Sequence, residues 1–388
     1  MSFIPTEEQR AISDAARRFA ATRLAPGYRA REQAGMLDRA LLREMGGLGL
    51  IAPEMPESHG GLGQSGVTAG LVVEAVAHAD INVTSVQLPG SLMGSIILRH
   101  AAAPLAQDWV RRIVGGEAIV AIGLTEPRGG SDAANLALRA ERAGNGWVLS
   151  GEKTSISCAD QADAIVVFAR SGRPEDGARG ISAFLVPLDA PGISRSRFDD
   201  FGTCAVGRGS VFFDGVKVPA DHMLGEENRG FVQVMQGFDY SRALIGLQCI
   251  AAAQASLDES WAYIQERRTF GAPLAQYQGV TFPLAEGETM LAAARMLCYQ
   301  TLALRDHGLP HTSEAAMCKW LAPKTAVEVI HQCLLTHGHA GYSKDLPHQQ
   351  RLRDVMGLEI GDGTAQIMKL VIARERIGRV AVQYARQG

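Results

Sequence analysis

The sequence lacks any pattern of paired cysteines. Its six cysteines are scattered, and no two of them form a CxxC pair. This spacing does not suggest a zinc site or a disulfide framework. We therefore expect free, reduced thiols, as is usual in a cytoplasm.

The sequence also lacks an excess of charge of one sign and any long apolar run. Its 38 Lys and Arg residues nearly balance 41 Asp and Glu residues, for a net charge of −3. This balance is not typical of proteins that bind nucleic acid or anionic membranes. No stretch of about 18 apolar residues is present, and the first residues, MSFIPTEEQR, are charged, unlike a secretory signal. We expect a cytoplasmic protein without a nucleic-acid partner or membrane insertion.

Internal repeats and low-complexity tracts are missing as well, so the order of local patterns indicates the architecture. Apolar residues recur at helical spacing up to about residue 116, and strand-like runs follow up to about residue 219. Long helical patterns then cover about 231–268, 276–306, 313–336 and 364–386. At 388 residues the chain exceeds the usual size of a single core. We predict an α+β multi-domain protein with domains 1–118 (helical), 119–229 (β, sandwich or barrel) and 230–388 (helical).

The segment GLGQSG (61–66) matches the GxGxxG pattern of dinucleotide-binding folds. That pattern binds a pyrophosphate only when a strand precedes it. The preceding residues, APEMPESHG, contain two prolines and no apolar run. We interpret the segment as a turn that leads into a helix over 67–79.

Two other segments have features of a reactive or binding site. In IGLTEPRGGSDAANL (122–136), an apolar strand ends in hydroxyl and glycine residues, which suits a polar ligand or an ordinary connection between strands. In LEIGDGTAQIMKLVIARE (358–375), Asp362 precedes a helical pattern. Local rules make this residue a helix N-cap, and a role as a reagent stays open.

Several motifs together resemble the acyl-CoA dehydrogenase family. They are LTEPRGGSD (124–132), FDYSRA (238–243), QERRTFGAPLAQYQ (265–278), HGHAGYSKDLP (337–347), RLRDV (351–355) and GDGTAQI (361–367), in the order and spacing of that family. The resemblance extends from about residue 5 to 380. It implies an N-terminal helical domain, a central β-barrel-like domain of two sheets, a C-terminal four-helix bundle, and FAD as cofactor.

The resemblance assigns two groups of residues to the cofactor. The first group would line the flavin ring: Leu124, Thr125, Gly130, Ser131, and the segment Ser155, Ile156 and Ser157, with the Ser157 hydroxyl near the flavin N5. Ser131 would also contact the thioester. Ser155 stands where the family usually has Trp, beside the edge at which an electron-transfer flavoprotein docks. This difference affects the route by which electrons leave.

The second group would contact FAD across a subunit interface. Arg267, Thr269 and Phe270 would meet the pyrophosphate of a neighbouring subunit, with Gln278 and Gly338 at the same interface and Thr364 and Gln366 on the other side of the cofactor. Arg267 also fits a basic helix end. Leu335 and His339 differ from the residues usual in the family. Sharing of FAD implies a homodimer, commonly assembled into a homotetramer.

The resemblance makes Asp362 the catalytic base. The family usually has Glu at this position, where it removes the α-proton of the thioester while FAD takes a hydride from the β-carbon. Some members carry the base at the position of Ser241, which cannot serve here. We expect burial to raise the pKa of Asp362 and the helix start to oppose that rise. Substrate contacts are expected from Asp239, Tyr240, Arg242 and Gly363, with the acyl tail beside VTSVQLPGSLMGS (83–95).

An Asp base reaches about one ångström less than Glu, which favours a different substrate. The preferred hypothesis is the dehydrogenation of cyclohexane-1-carboxyl-CoA to cyclohex-1-ene-1-carboxyl-CoA. The alternatives are a nitroalkane oxidase, a dehydrogenase of carrier-protein-bound acyl groups, and a non-catalytic flavoprotein of the same fold. His331, His337 and His339 lack a Cys or carboxylate at ligand spacing, so no metal site is expected.

Overall fold

The computed structural model describes residues 4–382. Its N-terminal part is helical. The helices are α1 (Glu7–Phe19), α2 (Tyr28–Ala34), α3 (Arg39–Gly47), α4 (Gly66–Ala79), α5 (Thr84–His100) and α6 (Ala103–Val114). α1 begins with a capping box, in which the Thr6 hydroxyl accepts from the Gln9 amide and the Gln9 side chain accepts from the Thr6 amide.

The turn interpretation of GLGQSG is confirmed. The Ser65 hydroxyl caps α4 by accepting from the Thr68 amide at 3.1 Å, and Asp306 accepts from the amides of Gly66 and Val67. A short 3₁₀ turn, Glu57–His59, lies where a dinucleotide-binding fold would place a strand. The first amides of this helix are therefore used by the protein itself.

The central part is a sheet of eight strands. They are β1 (Val120–Gly123), β2 (Arg139–Ala143), β3 (Gly146–Ile156), β4 (Ala164–Arg170), β5 (Ile181–Pro187), β6 (Ile193–Arg197), β7 (Gly209–Pro219) and β8 (Met223–Leu224). Their order is β6-β7-β3-β2-β4-β5-β8, and β1 pairs with β4 in parallel. β2 and β4 share a single register pair, Arg139 with Arg170, so the sheet divides there into two halves. The predicted central β domain between two helical parts is confirmed.

The C-terminal part is helical again. It contains α7 (Gly230–Glu266), a small hairpin of β9 (Arg268–Thr269) and β10 (Ala272–Pro273), then α8 (Gln278–Asp306), α9 (Thr312–Thr336), α10 (His339–Tyr342), α11 (His348–Met356) and α12 (Ala365–Ile377). α7, α8 and α9 pack on one another, and α12 packs on α9. α7 is buried around most of its circumference, as expected for the central helix of such a bundle.

The last helix is shorter than predicted. The pattern indicated 364–386, but α12 ends at Ile377, because Gly378 adopts a φ of +74° and a 3₁₀ turn follows. Glycine tolerates this conformation and commonly ends helices. Residues 383–386 of the predicted helix lie outside the described part of the chain.

Asp354 joins the three parts of the molecule. This fully buried residue of α11 accepts hydrogen bonds from the Tyr28 hydroxyl (2.7 Å), the Asn82 side-chain amide (2.9 Å) and the Thr203 backbone amide. Tyr28 and Asn82 belong to the N-terminal helices, and Thr203 lies between β6 and β7. One carboxylate therefore contacts all three parts of the molecule.

Candidate active site

The loop after β1 is held by a buried ion pair. Lys153 of β3 donates to a Glu126 carboxylate oxygen at 2.7 Å and to the Leu124 carbonyl at 3.1 Å. Glu126 also accepts from the amides of Ala137 and Leu138, at the far end of the same loop. Burial lowers the pKa of Lys153 to about 8. Burial pushes the pKa of Glu126 upward, but Lys153 and the two amides outweigh it, so the pKa is lowered.

This pair presents the rest of the loop to solvent. Gly129, Gly130 and Ser131 are exposed, and Thr125 is half-buried. A Cβ atom at Gly130 would lie 3.4 Å from the Thr125 methyl group, so the two backbone segments run close together. The result is a rigid strand end that offers a hydroxyl and bare backbone, which suits the polar edge of a flat ligand.

The end of β3 presents two serines. A bulge between Lys153 and Ile156 interrupts pairing with β7, and Ser155 adopts a φ of +57°. Ser155 and Ser157 are exposed, while the Ile156 side chain is buried in the core below the sheet. Of these three residues, only the two serines have side chains available to a cofactor, and Ile156 could contribute backbone contacts alone.

Asp362 is not the cap of α12, so that local expectation is wrong. Thr364 is the N-cap, and its hydroxyl accepts from the Ile367 amide at 3.4 Å. Asp362 lies two residues earlier, in a turn where its φ is +54°. Gly363 follows with a φ of +104°, and a Cβ atom there would be 2.5 Å from the Met368 side chain. The turn therefore requires glycine and separates Asp362 from the helix.

Two cations lie near Asp362. Lys319 of α9 is almost fully buried and donates to the carbonyls of Leu358 (2.6 Å) and Gly363 (3.2 Å), on both sides of the aspartate. Burial raises the pKa of Asp362, and the charges of Lys319 and Arg242 oppose that rise. The opposing charge was expected from the start of the helix. It comes instead from two residues of neighbouring helices.

A cavity of about 70 Å³ connects Asp362 with the end of β3. Its lining includes Asp362, Ser157 and Ser241, and one wall is formed by residues of α5 and β1: Ser85, Leu88, Pro89, Leu92, Ile119, Val120, Ala121 and Ile122. Asp362 is exposed in the single chain because it faces this open space, although protein packs around it on the other sides. The structure thus brings together Asp362, Ser157 and the segment predicted to hold the acyl tail.

Residues of the motif FDYSR lie near the turn that contains Asp362 and Gly363. Arg242 pairs with Asp239 at 3.1 Å, and Asp239 also accepts from the Thr312 hydroxyl at 2.6 Å. The Arg242 Nε atom is buried without a partner among the described residues. Tyr240 points elsewhere, and its ring lies 3.8 Å from the Arg305 guanidinium. Arg242 is therefore placed beside the turn that carries Asp362, with Asp239 as its ion-pair partner, whereas Tyr240 is buried against Arg305.

The second predicted group forms a separate surface. Arg267, Phe270, Gln278 and Gly338 are exposed, and Phe270 is 95% exposed with a φ of +46°. The rings of Tyr263, near the end of α7, and His337, at the end of α9, stack with centroids 4.2 Å apart, so the end of α7 lies close to the Gly338 turn. These residues do not line the cavity near Asp362. Of the residues at the start of α12, Thr364 is the helix cap and Gln366 is exposed.

Sequence reasoning missed several residues that organise the site. Lys153 and Lys319 were not identified, although a lysine within an otherwise apolar pattern is a signal that could have indicated a buried charge. Within residues 4–382, no group of three or more His, Cys, Asp or Glu residues could hold a metal. All six cysteines are free thiols. None of the described helices combines the length and apolarity needed to cross a membrane.

The residues present fit a flavin dinucleotide. The exposed Gly129-Gly130 backbone and the hydroxyls of Thr125 and Ser157 suit the polar edge of an isoalloxazine ring, while the Arg267 side chain on the second surface suits phosphate oxygens.

Comparisons with known proteins agree with this geometry. Family models match residues 6–117 (acyl-CoA dehydrogenase, N-terminal domain), 121–216 (middle domain) and 228–377 (C-terminal domain). A probable acyl-CoA dehydrogenase of Bacillus subtilis is 34% identical over 97% of this chain and 99% of its own. Cyclohexane-1-carbonyl-CoA dehydrogenase of Geobacter metallireducens is 34% identical over 98% and 100%. The structure of butyryl-CoA dehydrogenase from Megasphaera elsdenii superposes with a TM-score of 0.93 at 30% identity, covering 97% of this chain and 100% of that one.

Proposed function

Because the chain belongs to the acyl-CoA dehydrogenase family, whose members are FAD-dependent oxidoreductases, we propose that it removes two hydrogens from Cα and Cβ of a compact acyl-CoA thioester. Asp362 is the base. The observation that supports this assignment is the position of its carboxylate, which faces the same cavity as Ser157 and is the one carboxylate that lines it among the described residues.

Asp362 takes the α-proton of the thioester. Its carboxylate accepts no hydrogen bond from the described residues, so both oxygens are free to receive a proton. Lys319 and Gly363 hold the turn that carries the residue, which restricts the approach of the carboxylate to one direction.

FAD, when bound, supplies the acceptor for the hydride that leaves Cβ as the double bond forms. The Ser157 hydroxyl, which lines the same cavity as Asp362, would hydrogen-bond the flavin. The backbone amide of Asp362 donates to no backbone carbonyl in the described structure, so it is available to the thioester carbonyl.

We propose an alicyclic acyl group such as cyclohexane-1-carboxyl. Two observations support this choice over an unbranched chain. Asp362 is shorter than the usual Glu, which suits a substrate held close to it, and the relative from Geobacter metallireducens is named for that substrate. The cavity wall is largely aliphatic, as an alicyclic ring requires.

The protein is proposed to act as a homodimer or homotetramer. Large apolar side chains are exposed on the C-terminal part of the single chain, among them Phe270, Phe282, Leu335, Tyr342, Ile360 and Ile377. Exposed apolar surface of this extent usually marks an interface. Acyl-CoA dehydrogenases can associate with an electron-transferring flavoprotein, and we propose such a protein as the electron acceptor.

Anaerobic mixing of the FAD-loaded protein with thioesters tests the function. We expect the flavin absorbance to bleach with cyclohexane-1-carboxyl-CoA, faster than with butyryl-CoA and not at all with nitroethane. Asp362→Asn should bind the thioester without bleaching, while Asp214→Asn, the same change at an exposed position, should behave as the unmodified protein. Bleaching by nitroethane alone would identify a nitroalkane oxidase, and a protein that stays colourless with added FAD would overturn the proposal.

A further inference from the structure

A glycine inside α7 lies against a side chain that forms part of the cavity wall. Gly237 stands in the interior of this long helix, after its first residue, Gly230. Glycine destabilises the interior of a helix relative to alanine, because it loses more conformational freedom on folding. Such a glycine is explained when another group of the protein approaches the helix backbone closely.

The group that approaches Gly237 is the side chain of Leu92, from α5. A Cβ atom at position 237 would overlap the Cδ1 atom of Leu92 and would lie 3.6 Å from its Cγ atom. Non-bonded carbon atoms pack at about 3.5 to 4.0 Å, so a side chain on Gly237 and the present position of Leu92 exclude each other. The next atom, Cδ1 of Ile96, would be 3.9 Å away, which is an ordinary contact.

Leu92 lies between this contact and the open space of the cavity. It is 5% exposed, lines the cavity together with Asp362, and belongs to one apolar cluster with Val120 of β1 and Phe238 of α7. Because protein interiors are close-packed, a displaced side chain moves most easily into open space. A side chain on α7 at this contact would therefore push Leu92 into the cavity, which is small, at about 70 Å³.

The other interior glycine of α7, Gly246, serves a different contact. A Cβ atom there would lie 2.5 Å from Sγ of Cys298 and 3.4 Å from Cβ of Ala322, which belong to α8 and α9. Neither of these residues lines the cavity. Gly246 therefore allows the helices of the bundle to pack, whereas Gly237 allows a residue of the cavity wall to lie against α7.

We propose that the contact between Gly237 and Leu92 determines the largest acyl group that the cavity accepts. Because Gly237 has no side chain, Leu92 packs against α7, and the space that remains admits a compact ring. The inference rests on the proposed function and names the residues that give it selectivity for acyl size. One methylene group more or less in an apolar pocket changes discrimination by about 10- to 200-fold, so a single contact of this kind can determine selectivity.

The test compares a ring thioester with a very small one. Calorimetry measures the dissociation constants of cyclohexane-1-carboxyl-CoA and propionyl-CoA on the FAD-loaded protein, with the flavin reduced beforehand so that neither compound reacts. Gly237→Ala should weaken binding of the ring compound by about tenfold or more and change binding of propionyl-CoA by less than about threefold. Adding Leu92→Val, which removes the overlapping atom, should restore the ratio of the two constants.

Two control variants place the same methyl group elsewhere. Gly246→Ala adds it to α7 away from the cavity, and Gly47→Ala adds it at the exposed end of α3, where no atom lies within 4 Å. Both should leave the ratio of the two dissociation constants unchanged. Thermal unfolding checks that each variant folds. If Gly237→Ala does not fold, Leu92→Val alone tests the contact, and it should favour 4-methylcyclohexane-1-carboxyl-CoA over the unsubstituted ring compound more than the unmodified protein does.

An unchanged ratio in Gly237→Ala, or an equal change in Gly246→Ala, would overturn the assignment of selectivity to this contact. An unchanged preference between the two ring compounds in Leu92→Val would overturn it as well. Reduction of the oxidised flavin by the same thioesters is recorded separately. If the thioesters bind but do not reduce the flavin, the proposed function fails, and the binding ratio still decides whether Gly237 and Leu92 limit acyl size. If neither thioester binds, both proposals are wrong.

Discussion

Asp354 and Asp362 are two aspartates of the same C-terminal segment with opposite surroundings. Asp354 is fully buried and accepts three hydrogen bonds, from Tyr28, Asn82 and Thr203. Asp362 faces a cavity, and among residues 4–382 nothing donates a hydrogen bond to its carboxylate. Burial raises the pKa of both groups. The difference shows that a carboxylate satisfied by the protein supports the fold, whereas one balanced only by nearby cations is available for chemistry.

The largest effect should come from exchanging the reactive carboxylate for its amide. Asp362→Asn removes the proton acceptor, and flavin reduction by an acyl-CoA should slow by about 10²- to 10⁴-fold. Rapid-mixing absorbance at the flavin band measures this rate. The melting temperature should stay close to that of the unmodified protein, because the structure places no hydrogen bond on this carboxylate. If Asp362→Asn lowered the melting temperature but left the rate of flavin reduction unchanged, Asp362 would be a structural residue and not the base.

Asp354, which contacts all three parts of the molecule, should show the opposite result: a loss of stability with little effect on flavin reduction. Asp354→Ala leaves the Tyr28 hydroxyl, the Asn82 amide and the Thr203 amide buried without their acceptor, which should cost about 3 to 5 kcal/mol of unfolding free energy. Calorimetric melting of the FAD-loaded protein measures the loss. Flavin reduction at low temperature should remain within a few fold of normal for the fraction that folds. Equal stability of this variant and Asp362→Asn would contradict the structural role.

The contribution of Asp354 to stability should also depend on pH. The pKa of Asp354 rises from 3.8 to about 6 because the residue is buried. The folded protein therefore keeps a proton that the unfolded chain releases, so this contribution to stability is complete below pH 3.8 and is lost as the pH rises through about 6. The stability difference between the unmodified protein and Asp354→Asn should change by up to about 3 kcal/mol over this range. A difference that does not vary with pH would show that Asp354 stays ionised.

A smaller effect is expected when one cation beside the base is removed. Lys319→Gln keeps a donor for the carbonyls of Leu358 and Gly363 but removes a charge that lowers the pKa of Asp362. The acid limb of the flavin-reduction profile should move to higher pH, and the rate on the acid side should fall about three- to tenfold. Lys324→Gln, a change at an exposed residue of the same helix, is the control. An unchanged acid limb would mean that Lys319 only supports the turn.

Much of the fold could be predicted from local patterns. The strand-like runs before residue 219 include β1, β3, β4, β5 and β7, and the first three long C-terminal helices were located to within a few residues, because alternation and helical spacing reflect which face is buried. β2, β6 and β8 were missed. β2 and β6 are rich in charged or polar residues and are partly exposed, so they carry no clear apolar alternation, and β8 has only two residues.

The candidate site was only partly predictable. The residue types at 124–132, 155–157 and 361–367 indicated where a cofactor and a base would lie, and the structure places Ser157 and Asp362 on one cavity. The role of Asp362 as a helix cap was wrong, because Thr364 offers its hydroxyl at the correct distance from the helix start and Gly363 turns the chain between them. Local preference for Asp at a helix start cannot choose between two suitable residues.

The sequence by itself determined the order of helical and strand regions, the family, and the presence of a single short carboxylate in a motif where a base belongs. Those features depend on residue types close together along the chain. Only the tertiary structure decided which charges surround that carboxylate and which side chains share its cavity. Lys319, Arg242 and Ser157 come from separate segments, and packing of the helices and the sheet brings them near Asp362.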